Sequence, residues 1–504
     1  MSDSLQLAQR VLERARISRD PRFDGRFFVA VTSTGIYCRP VCPAPSPKSA
    51  HVRYFASAAA AAEAGFRPCL RCRPESAPGT PAWLGTSAVV RRALRLIQQG
   101  ALDETSVEQF AARIGVGARH LHRLFVQHVG ASPSALAHTR RLQFAKRLLD
   151  ETRLPITQIA LAAGFGSLRR FNDVFQETYG RAPRELRARR AAGNARRVTT
   201  SLPRSPADQV VLRLAYRPPY DWEHLAAFLA ARAIPGVEHV EDHRYVRTLM
   251  LASGPAIIGV RPLTNANELE LSVRGAPASA LFELTQTARR AFDLSADPAL
   301  TARALRADPL LAGPVRRRPG LRIPGVWDPF ECVVRAVLGQ QISIRAARTL
   351  AARLVLRAGQ TLPRTEEGLT HVFPTPAAVL GADLTGLGLT GARIATLTCV
   401  ARACVEGTLD WSAPPDELLA ALQRLPGIGA WTAQYIALRA LGEPDAFPAA
   451  DIVLRRVAAA ARRPLSPRAL ERRAEGWRPW RSYAVIHFWC AASEAAPRLE
   501  RTRQ

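Results

Sequence analysis

Residues 425–451 read LPGIGAWTAQYIALRALGEPDAFPAAD, and this stretch decides how the carboxy-terminal part of the chain folds. Apolar residues recur at helical spacing before the glycines, in residues 416–425, and after them, in residues 431–438. The pattern predicts two short helices joined by a tight turn. Gly427 and Gly429 allow this turn to point the first backbone N–H groups of the second helix outward, where a helix N-terminus binds phosphate.

Asp451 follows the second helix after a loop broken by prolines, and it precedes the apolar helical pattern of residues 452–457. A carboxylate at a helix N-cap is stabilised as the anion. The segment therefore combines a phosphate-binding turn, aromatic side chains and a fixed carboxylate. An ordinary helical hairpin followed by a capping aspartate is the simpler interpretation, and the pattern alone leaves it open.

The motif LPGIGAWTA, with Asp451 at this distance, resembles the helix-hairpin-helix DNA glycosylase superfamily. Three further blocks resemble the AlkA-type 3-methyladenine glycosylases: PPYDWEHLAAFLAARAIPGVE (218–238), RRPGLRIPGVWDPFECVVRAVLGQQIS (317–343) and WRPWRSYAVIHFWC (477–490). The resemblance implies an all-α glycosylase domain at 296–495. A small α+β domain is expected before it, at 209–295, where apolar and polar residues alternate in several strand-like runs.

This resemblance also implies the reaction, which is release of a damaged base from DNA. The base must be flipped out of the duplex into a pocket, and a base alkylated on a ring nitrogen is cationic, so aromatic faces attract it. Such a base is already a good leaving group. One carboxylate, assigned to Asp451, then stabilises the developing positive charge on the sugar and orients or deprotonates the attacking water.

The aromatic candidates for the pocket are Trp431, Tyr435, Trp489 and Phe228, with Tyr220 and Trp222 as further members of the set. An aromatic residue on a helix more often belongs to the core, so some of these are expected to be structural.

Three positions depart from related enzymes. Superfamily members that also cut the strand have a lysine where this chain has Trp431, and the only lysines here are Lys48 and Lys146, so an uncut abasic site is expected. Cys490 stands alone where endonuclease III-type relatives have a four-cysteine loop, so no iron–sulfur cluster is expected. Gln341 occupies the position of a leucine that fills the vacated base stack in AlkA-type enzymes, which leaves a wedge role for it open.

Four cysteines lie close together near the amino terminus: Cys38, Cys42, Cys69 and Cys72. Two close pairs of cysteines can supply four thiolates to one tetrahedral zinc ion, and spacing alone favours a structural site. The runs FFVAVTSTGIYCRPVC (27–42) and GFRPCLRC (65–72) resemble the Ada-type DNA methyl-phosphotriester sensor over residues 1–80. That resemblance implies that Cys38 is a single-use methyl acceptor, with a purely structural zinc site as the alternative.

Residues 85–190 are predicted to be helical and to contain two helix-turn-helix units, at 107–129 and 156–179. They resemble the AraC-type DNA-binding domain, notably in the ending Phe175-x3-Tyr179-Gly-x2-Pro183. The resemblance implies that the second helix of each unit enters the major groove. The candidate DNA-binding residues are Arg119, Arg123, Arg169 and Arg170, with His120 and Asn172.

The chain of 504 residues carries 70 Lys and Arg against 42 Asp and Glu, a net charge of +28. A polyanion is the expected partner, and double-stranded DNA is preferred over a membrane surface because no basic amphipathic anchor is evident; a basic solvated face is the alternative. Residues 191–208 form a predicted basic linker. We found no signal peptide or long apolar run, so a cytoplasmic protein is expected, and separate DNA-binding modules favour a monomer.

Together these features predict a multidomain, mainly α protein with α+β parts. It would join a four-cysteine zinc methyl acceptor and two helix-turn-helix units to an α+β domain and a helix-hairpin-helix glycosylase. We expect a response protein for alkylation damage that releases alkylated purines such as 3-methyladenine and senses methyl phosphotriesters in transcription regulation. A DNA-binding regulator whose glycosylase half only holds damaged DNA is the alternative.

Overall fold

The computed structural model describes residues 3–78, 88–103, 105–188, 209–459 and 463–501. The chain divides into two compact units, Met1–Pro218 with Leu263–Gln286, and Pro219–Pro262 with Thr287–Gln504. The predicted linker at 191–208 lies outside the described residues, and the five predicted domain boundaries stay a prediction. None of the described helices is both long enough and apolar enough to cross a membrane.

The first unit begins with a small sheet whose strands bring the early cysteines together. Its elements are α1 (Asp3–Ile17), β1 (Phe28–Val31), β2 (Ile36–Cys38), β3 (Val52–Phe55), α2 (Ala58–Glu63) and β4 (Arg67–Pro68). The strand order is β3-β1-β2-β4, with β4 parallel to β2 and the other pairs antiparallel. Phe28 and Tyr37 form its core with the alanines of α2.

Six helices follow in the same unit: α3 (Ala88–Gln98), α4 (Val107–Ile114), α5 (Ala118–Val129), α6 (Pro133–Glu151), α7 (Ile156–Ala162) and α8 (Leu168–Tyr179). A capping box between Ser106 and Gln109 begins α4, and Gly115 ends it in the left-handed conformation at φ +86°. The pairs α4–α5 and α7–α8 confirm both predicted helix-turn-helix units. Strands β5 (Gln209–Ala215) and β9 (Glu268–Arg274) also belong to this unit and pair antiparallel.

The second unit contains helix α9 (Trp222–Arg232) and an antiparallel meander of β6 (Glu238–Glu241), β7 (Arg244–Leu251) and β8 (Gly254–Pro262). The helices after β9 are α10 (Leu281–Ala291), α11 (Pro298–Leu305), α12 (Pro309–Arg317), α13 (Pro329–Leu338), α14 (Ile344–Ala358), α15 (Pro376–Gly381), α16 (Gly391–Val405), α17 (Pro415–Gln423), α18 (Ala430–Ile436), α19 (Ile452–Val457), α20 (Pro467–Ala474) and α21 (Arg481–Arg501). Helix α18 continues as a π-helical turn over Ala437–Leu441. A large apolar core of the second unit is built mainly from α13, α14, α16, α17 and α18.

The expectation that the chain is helical from residue 296 onward is wrong at one place. Strands β10 (Gln360–Glu366) and β11 (Leu369–Val372) form an antiparallel hairpin there. Its two-residue turn is Glu367-Gly368, and both residues have positive φ, +50° and +75°. Two positive φ values are typical of a type I′ turn, whose twist suits a hairpin.

Asp293, which is partly buried, should give the second unit a pH-dependent stability. Its Oδ2 accepts from the Tyr483 hydroxyl at 2.9 Å and from Ile323 N at 3.2 Å, and burial raises the pKa of Asp293 to about 6. The folded protein then binds this proton more tightly than the unfolded chain, so stability rises as the pH falls from 7 toward 5. Asp293→Asn should remove about 1 kcal/mol of that rise, measured by urea unfolding at both pH values. An unchanged pH dependence in the variant would contradict the assignment.

Candidate functional site

A cavity of about 550 Å³ lies within the second unit, and it contains the predicted catalytic and aromatic residues together. Five predicted residues line it: Asp451, Trp431, Tyr435, Trp489 and Phe228. They come from four separate parts of the chain, so only the tertiary fold brings them to one place. The cavity is larger than a purine requires, and its wall combines aromatic rings with charged groups.

Asp451 is held at the cavity by contacts to both carboxylate oxygens. Its Oδ1 accepts from Val453 N at 2.9 Å and from Leu454 N at 3.0 Å, which caps α19 as expected. Its Oδ2 accepts from the indole Nε1–H of Trp431 at 3.1 Å. Only 9% of the residue is exposed. The cap and the indole together fix the direction of a buried carboxylate that borders the cavity.

Three of the aromatic residues form a continuous wall. The rings of Trp431 and Tyr435 are stacked, with centroids 5.5 Å apart and an interplanar angle of 20°. The ring of Trp489 lies 6.1 Å from Tyr435 at 46°. The four-residue spacing in α18 puts Trp431 and Tyr435 on one helical face, which is why the sequence pattern identified them.

The two remaining aromatic candidates are structural. Tyr220 donates its hydroxyl hydrogen to the carbonyl oxygen of Phe292 at 2.8 Å. Trp222 is buried, stacks on Phe292 and donates to the carbonyl oxygen of His243 at 2.9 Å. Neither belongs to the described cavity lining. Trp327, which the sequence reasoning did not single out, does line it and contacts Phe292 edge-on at 6.0 Å.

A buried network of ion pairs, missed by the sequence reasoning, forms another part of the wall. Glu331 pairs with Arg247 and with Arg335, at 2.6 Å each. Arg335 also pairs with Glu238, which accepts the hydroxyl hydrogen of Tyr245. Burial raises the pKa of Glu331, but the two arginines outweigh burial and lower the pKa below its usual value. Local spacing signals only the Glu331–Arg335 pair, four residues apart on α13, because the other partners lie up to 97 positions apart in the chain.

Asp328 also lines the cavity, next to this network. It caps α13 by accepting from Phe330 N at 2.9 Å. Burial, and then the charge of Glu331, raise the pKa of Asp328 to about 6. The cavity lining therefore includes a carboxyl group, that of Asp328, whose pKa is raised toward neutral pH.

The glycine turn is exposed, as a DNA-binding turn requires. Gly427 has φ +82°, and Gly429 is the N-cap of α18, where no side chain bonds the first N–H groups. Gln340 donates its amide to Gly427 O at 2.9 Å. Gln341, the next residue, is exposed in the left-handed conformation at φ +58°. The bond from Gln340 places Gln341 beside the turn. Gln341 is not among the described residues that line the cavity.

Gly427→Ala should destabilise the second unit by about 1–3 kcal/mol, because a side chain at this φ is strained. A Cβ atom there would also lie 2.1 Å from Thr396 Oγ1, a buried residue. Gly429→Ala is the matched control, since it has negative φ and no atom within 4 Å of its Cβ position. Urea unfolding measures both. Equal stability of the two variants would show that the turn does not require its first glycine.

The four early cysteines meet at one point in the first unit. Their sulfur atoms all lie within 4.8 Å of one another, and four sulfurs around one zinc ion are about 3.8 Å apart. Cys69 and Cys72 are buried, whereas Cys38 and Cys42 are partly exposed. The backbone N–H of Arg39 donates to Cys72 Sγ at 3.3 Å, which favours a thiolate. The donor set and its spacing fit zinc.

The candidate DNA-binding arginines lie where the helix-turn-helix interpretation requires. Arg119 and Arg123 are exposed on α5, and Arg169 and Arg170 are exposed near the start of α8. The opposite faces of both helices are buried through phenylalanines such as Phe125. Arg123 also contacts the ring of His120 at 3.0 Å. Each second helix thus presents arginines to solvent.

Four family models match the chain in succession. A metal binding domain of Ada matches residues 12–75, and a helix-turn-helix domain matches 110–189. An AlkA N-terminal domain matches 211–328, and a model of HhH-GPD superfamily base excision DNA repair proteins matches 334–482. The predicted fusion of Ada-like, helix-turn-helix and AlkA-like parts is confirmed.

One relative has the whole arrangement. A Mycobacterium tuberculosis protein named "Probable bifunctional transcriptional activator/DNA repair enzyme AlkA" is 43% identical over 482 residues, which is 94% of this chain and 95% of that protein. The chain belongs to this AlkA family of bifunctional activators and repair enzymes.

Two other proteins, both 3-methyladenine DNA glycosylases by name, match about half of the chain. "DNA-3-methyladenine glycosylase 2" of Escherichia coli is 37% identical to this AlkA-family chain over 282 residues, covering 55% of the chain and 95% of that enzyme. The solved 3-methyladenine DNA glycosylase of Archaeoglobus fulgidus has a TM-score of 0.50 at 22% identity, covering 56% of this chain and 98% of that one. The structural likeness shows the glycosylase fold of the AlkA-family protein.

Proposed function

We propose that this protein hydrolyses the N-glycosidic bond of alkylated purines such as 3-methyladenine in DNA and regulates transcription in response to methyl phosphotriesters. The observation that carries the repair activity is the arrangement of Asp451. Its carboxylate borders an aromatic cavity, with one oxygen in a helix cap and the other on the Trp431 indole. Family membership supports both halves of the proposal.

The damaged nucleotide enters the cavity after it is flipped from the duplex, and its base stacks in the wall formed by Trp431, Tyr435 and Trp489. As the bond from sugar to base breaks, positive charge develops on the sugar. Asp451 stabilises that charge and orients or deprotonates a water molecule that attacks the anomeric carbon. The base leaves, and an abasic sugar remains in the strand.

We further propose that the enzyme leaves this abasic site uncut. The chain has no lysine beyond Lys146, so its repair half cannot form a lysine Schiff base. Cys490 stands apart from the other cysteines in the sequence, and an iron–sulfur cluster is not part of the proposal. Gln341, exposed beside the glycine turn, would contact DNA there. The enzyme would act as a monomer in the cytoplasm.

In the regulatory half, Cys38, Cys42, Cys69 and Cys72 would hold zinc, which keeps their sulfurs as thiolates at neutral pH. Cys38 Sγ would attack the methyl carbon of a phosphotriester. A bond from sulfur to carbon forms, the bond from carbon to oxygen breaks, and the phosphate leaves as a diester anion. The thioether product is stable, so each molecule reacts once. Arg119, Arg123, Arg169 and Arg170 would then contact promoter DNA.

Base-release profiling of methylated duplex DNA tests the repair activity. The purified protein should liberate 3-methyladenine, identified by chromatography, and leave strands that break only after alkaline treatment. Binding of the methylated duplex without base release would instead support a regulator whose glycosylase half only holds damaged DNA. Strand cleavage without alkali would contradict the proposal that the abasic site stays uncut.

A further inference from the structure

Two arginines lie against aromatic rings of the cavity lining and have no part in the reaction above. The guanidinium carbon of Arg232 is 3.7 Å from the centroid of the Phe228 ring. That of Arg439 is 4.8 Å from the Phe228 ring and 5.5 Å from the Tyr435 ring. The rings that would attract a cationic base therefore already interact with cations of the protein itself.

Neither arginine forms an ion pair with a carboxylate of the part of the chain that the structure describes. Arg232 Nη1 donates to Phe228 O at 3.2 Å. Arg439 donates to the carbonyl oxygens of Pro324 and Gly325 and to the Tyr435 hydroxyl, the last at 2.7 Å. These acceptors are neutral, so both positive charges are left uncompensated at the wall. Arg247 and Arg335 of the cavity lining differ, because Glu331 pairs with Arg247 and Glu238 pairs with Arg335.

Both charges are held in place and persist at neutral pH. Arg439 is 8% exposed, and its three hydrogen bonds fix the guanidinium plane. Burial, and then the charges of Arg439 and Arg335, lower the pKa of Arg232 to about 10, which leaves it protonated. Both arginines line the cavity, and Arg439 contacts the Tyr435 ring, so a flipped base bound at Tyr435 shares the cavity with two guanidinium groups.

We propose that Arg232 and Arg439 select among damaged bases by charge, favouring uncharged bases over cationic ones. The inference rests on the proposed glycosylase activity. A like charge about 6 Å away in a partly desolvated site lowers affinity on the order of tenfold or more. An uncharged base avoids this repulsion, and its ring nitrogens and carbonyl oxygens accept hydrogen bonds from the same guanidinium groups. Cationic bases are still released because their bond to the sugar breaks easily, although the two arginines disfavour their binding.

Two duplexes of identical sequence test the inference, one with a single 7-methylguanine, which is cationic, and one with a single hypoxanthine, which is not. Single-turnover kcat/KM is measured for each, and the ratio of the two values is the readout. Arg232→Met removes the charge and keeps an unbranched side chain. It should raise the ratio of 7-methylguanine to hypoxanthine about tenfold or more, and Arg439→Met should raise it in the same direction.

Three control variants separate charge from position. Arg232→Lys keeps the charge and should leave the ratio within about threefold of the native value. Arg348→Met removes a positive charge from an exposed residue of the cavity lining, away from the rings, and should change both substrates alike. Tyr435→Phe removes the hydroxyl that accepts from Arg439 and keeps the charge of Arg439. It therefore separates loss of this hydrogen bond from loss of the charge in Arg439→Met.

An unchanged ratio in both methionine variants, with release of either base still measurable, would overturn the inference and leave the proposed function intact. Release of neither base by the native protein would overturn the proposed function instead. The affinities of the protein for the two duplexes then test selection by charge without any reaction.

Discussion

Asp451→Asn is expected to lower the single-turnover rate of base release on the order of a thousandfold, the scale of a lost charge-stabilising or base-catalytic group. Asparagine is as good an N-cap as aspartate, so its carbonyl oxygen can still accept from Val453 N and Leu454 N. The variant should therefore fold. It loses the negative charge that stabilises the sugar cation, and it loses the acceptor for the Trp431 indole.

Trp431→Phe separates those two losses. It removes the Nε1–H that contacts Asp451 Oδ2 and keeps both the carboxylate and an aromatic ring at the stack with Tyr435. We expect a decrease in rate of about tenfold or less, the scale of one hydrogen bond. A loss as large as that of Asp451→Asn would assign the main role to the orientation of the carboxylate rather than to its charge.

The chain contains a close structural match for Asp451 that serves as a control. Asp308 caps α12 by accepting from Leu310 N at 2.8 Å, and its other oxygen accepts from the Trp477 indole at 2.8 Å. It is outside the described cavity lining. Asp308→Asn is thus the same chemical change in a similar set of contacts, to which Asp308 adds an ion pair with Arg473 at 3.1 Å, and base release should stay close to native. Release by Asp451→Asn within tenfold of the native rate would remove Asp451 from the mechanism.

Asp451 and Asp308 also show what sequence alone could and could not predict. Asp297, Asp308, Asp328 and Asp451 all cap helices in the repair half, and the local pattern around Asp451 does not differ in kind from the others. The resemblance to a family singled out Asp451. The cavity supports that choice, because Asp451 and Asp328 border it while the other two do not.

Helical spacing in the sequence also predicts where two arginines of the cavity lining lie. Arg232 follows Phe228 by four residues on α9, and Arg439 follows Tyr435 by four. Residues at this spacing share a helical face, so the contacts of both arginines were accessible from the sequence. Trp327 and the long-range ion pairs Arg247–Glu331 and Arg335–Glu238 were not, since their positions depend on strands and helices that meet only in the folded chain.

After incubation with methylated DNA, Cys38 should carry one methyl group per molecule, and Cys69 and Cys72 none. Attack on a phosphotriester requires an accessible sulfur, and the two later cysteines are buried. Cys42 is as exposed as Cys38, so burial does not separate these two, and the choice of Cys38 rests on the resemblance to the Ada-type sensor. Both cysteines fall on one tryptic peptide, residues 27–48, because Arg39 precedes a proline. Tandem mass spectrometry must therefore locate the methyl group within the peptide.

Cys38→Ser should take up no methyl group, a larger loss than that expected for Cys42→Ser. Cys42→Ser is its matched control, since it also removes one partly exposed sulfur from the cluster. A methyl group on Cys42 in the native protein would reassign the acceptor. No methyl group on any of the four, in a protein shown to contain zinc, would establish the structural alternative.

Methylation should also change how the protein binds DNA, by electrostatics alone. Four thiolates on one zinc ion carry a net charge of −2, and methylation of one sulfur leaves −1, so repulsion from the phosphate backbone falls. The methylated protein should bind promoter DNA more tightly at low salt. Because salt screens exposed charges, the difference in affinity from the unmethylated protein should shrink as ionic strength rises. A difference that persists unchanged at high salt would instead require a new contact or a conformational change.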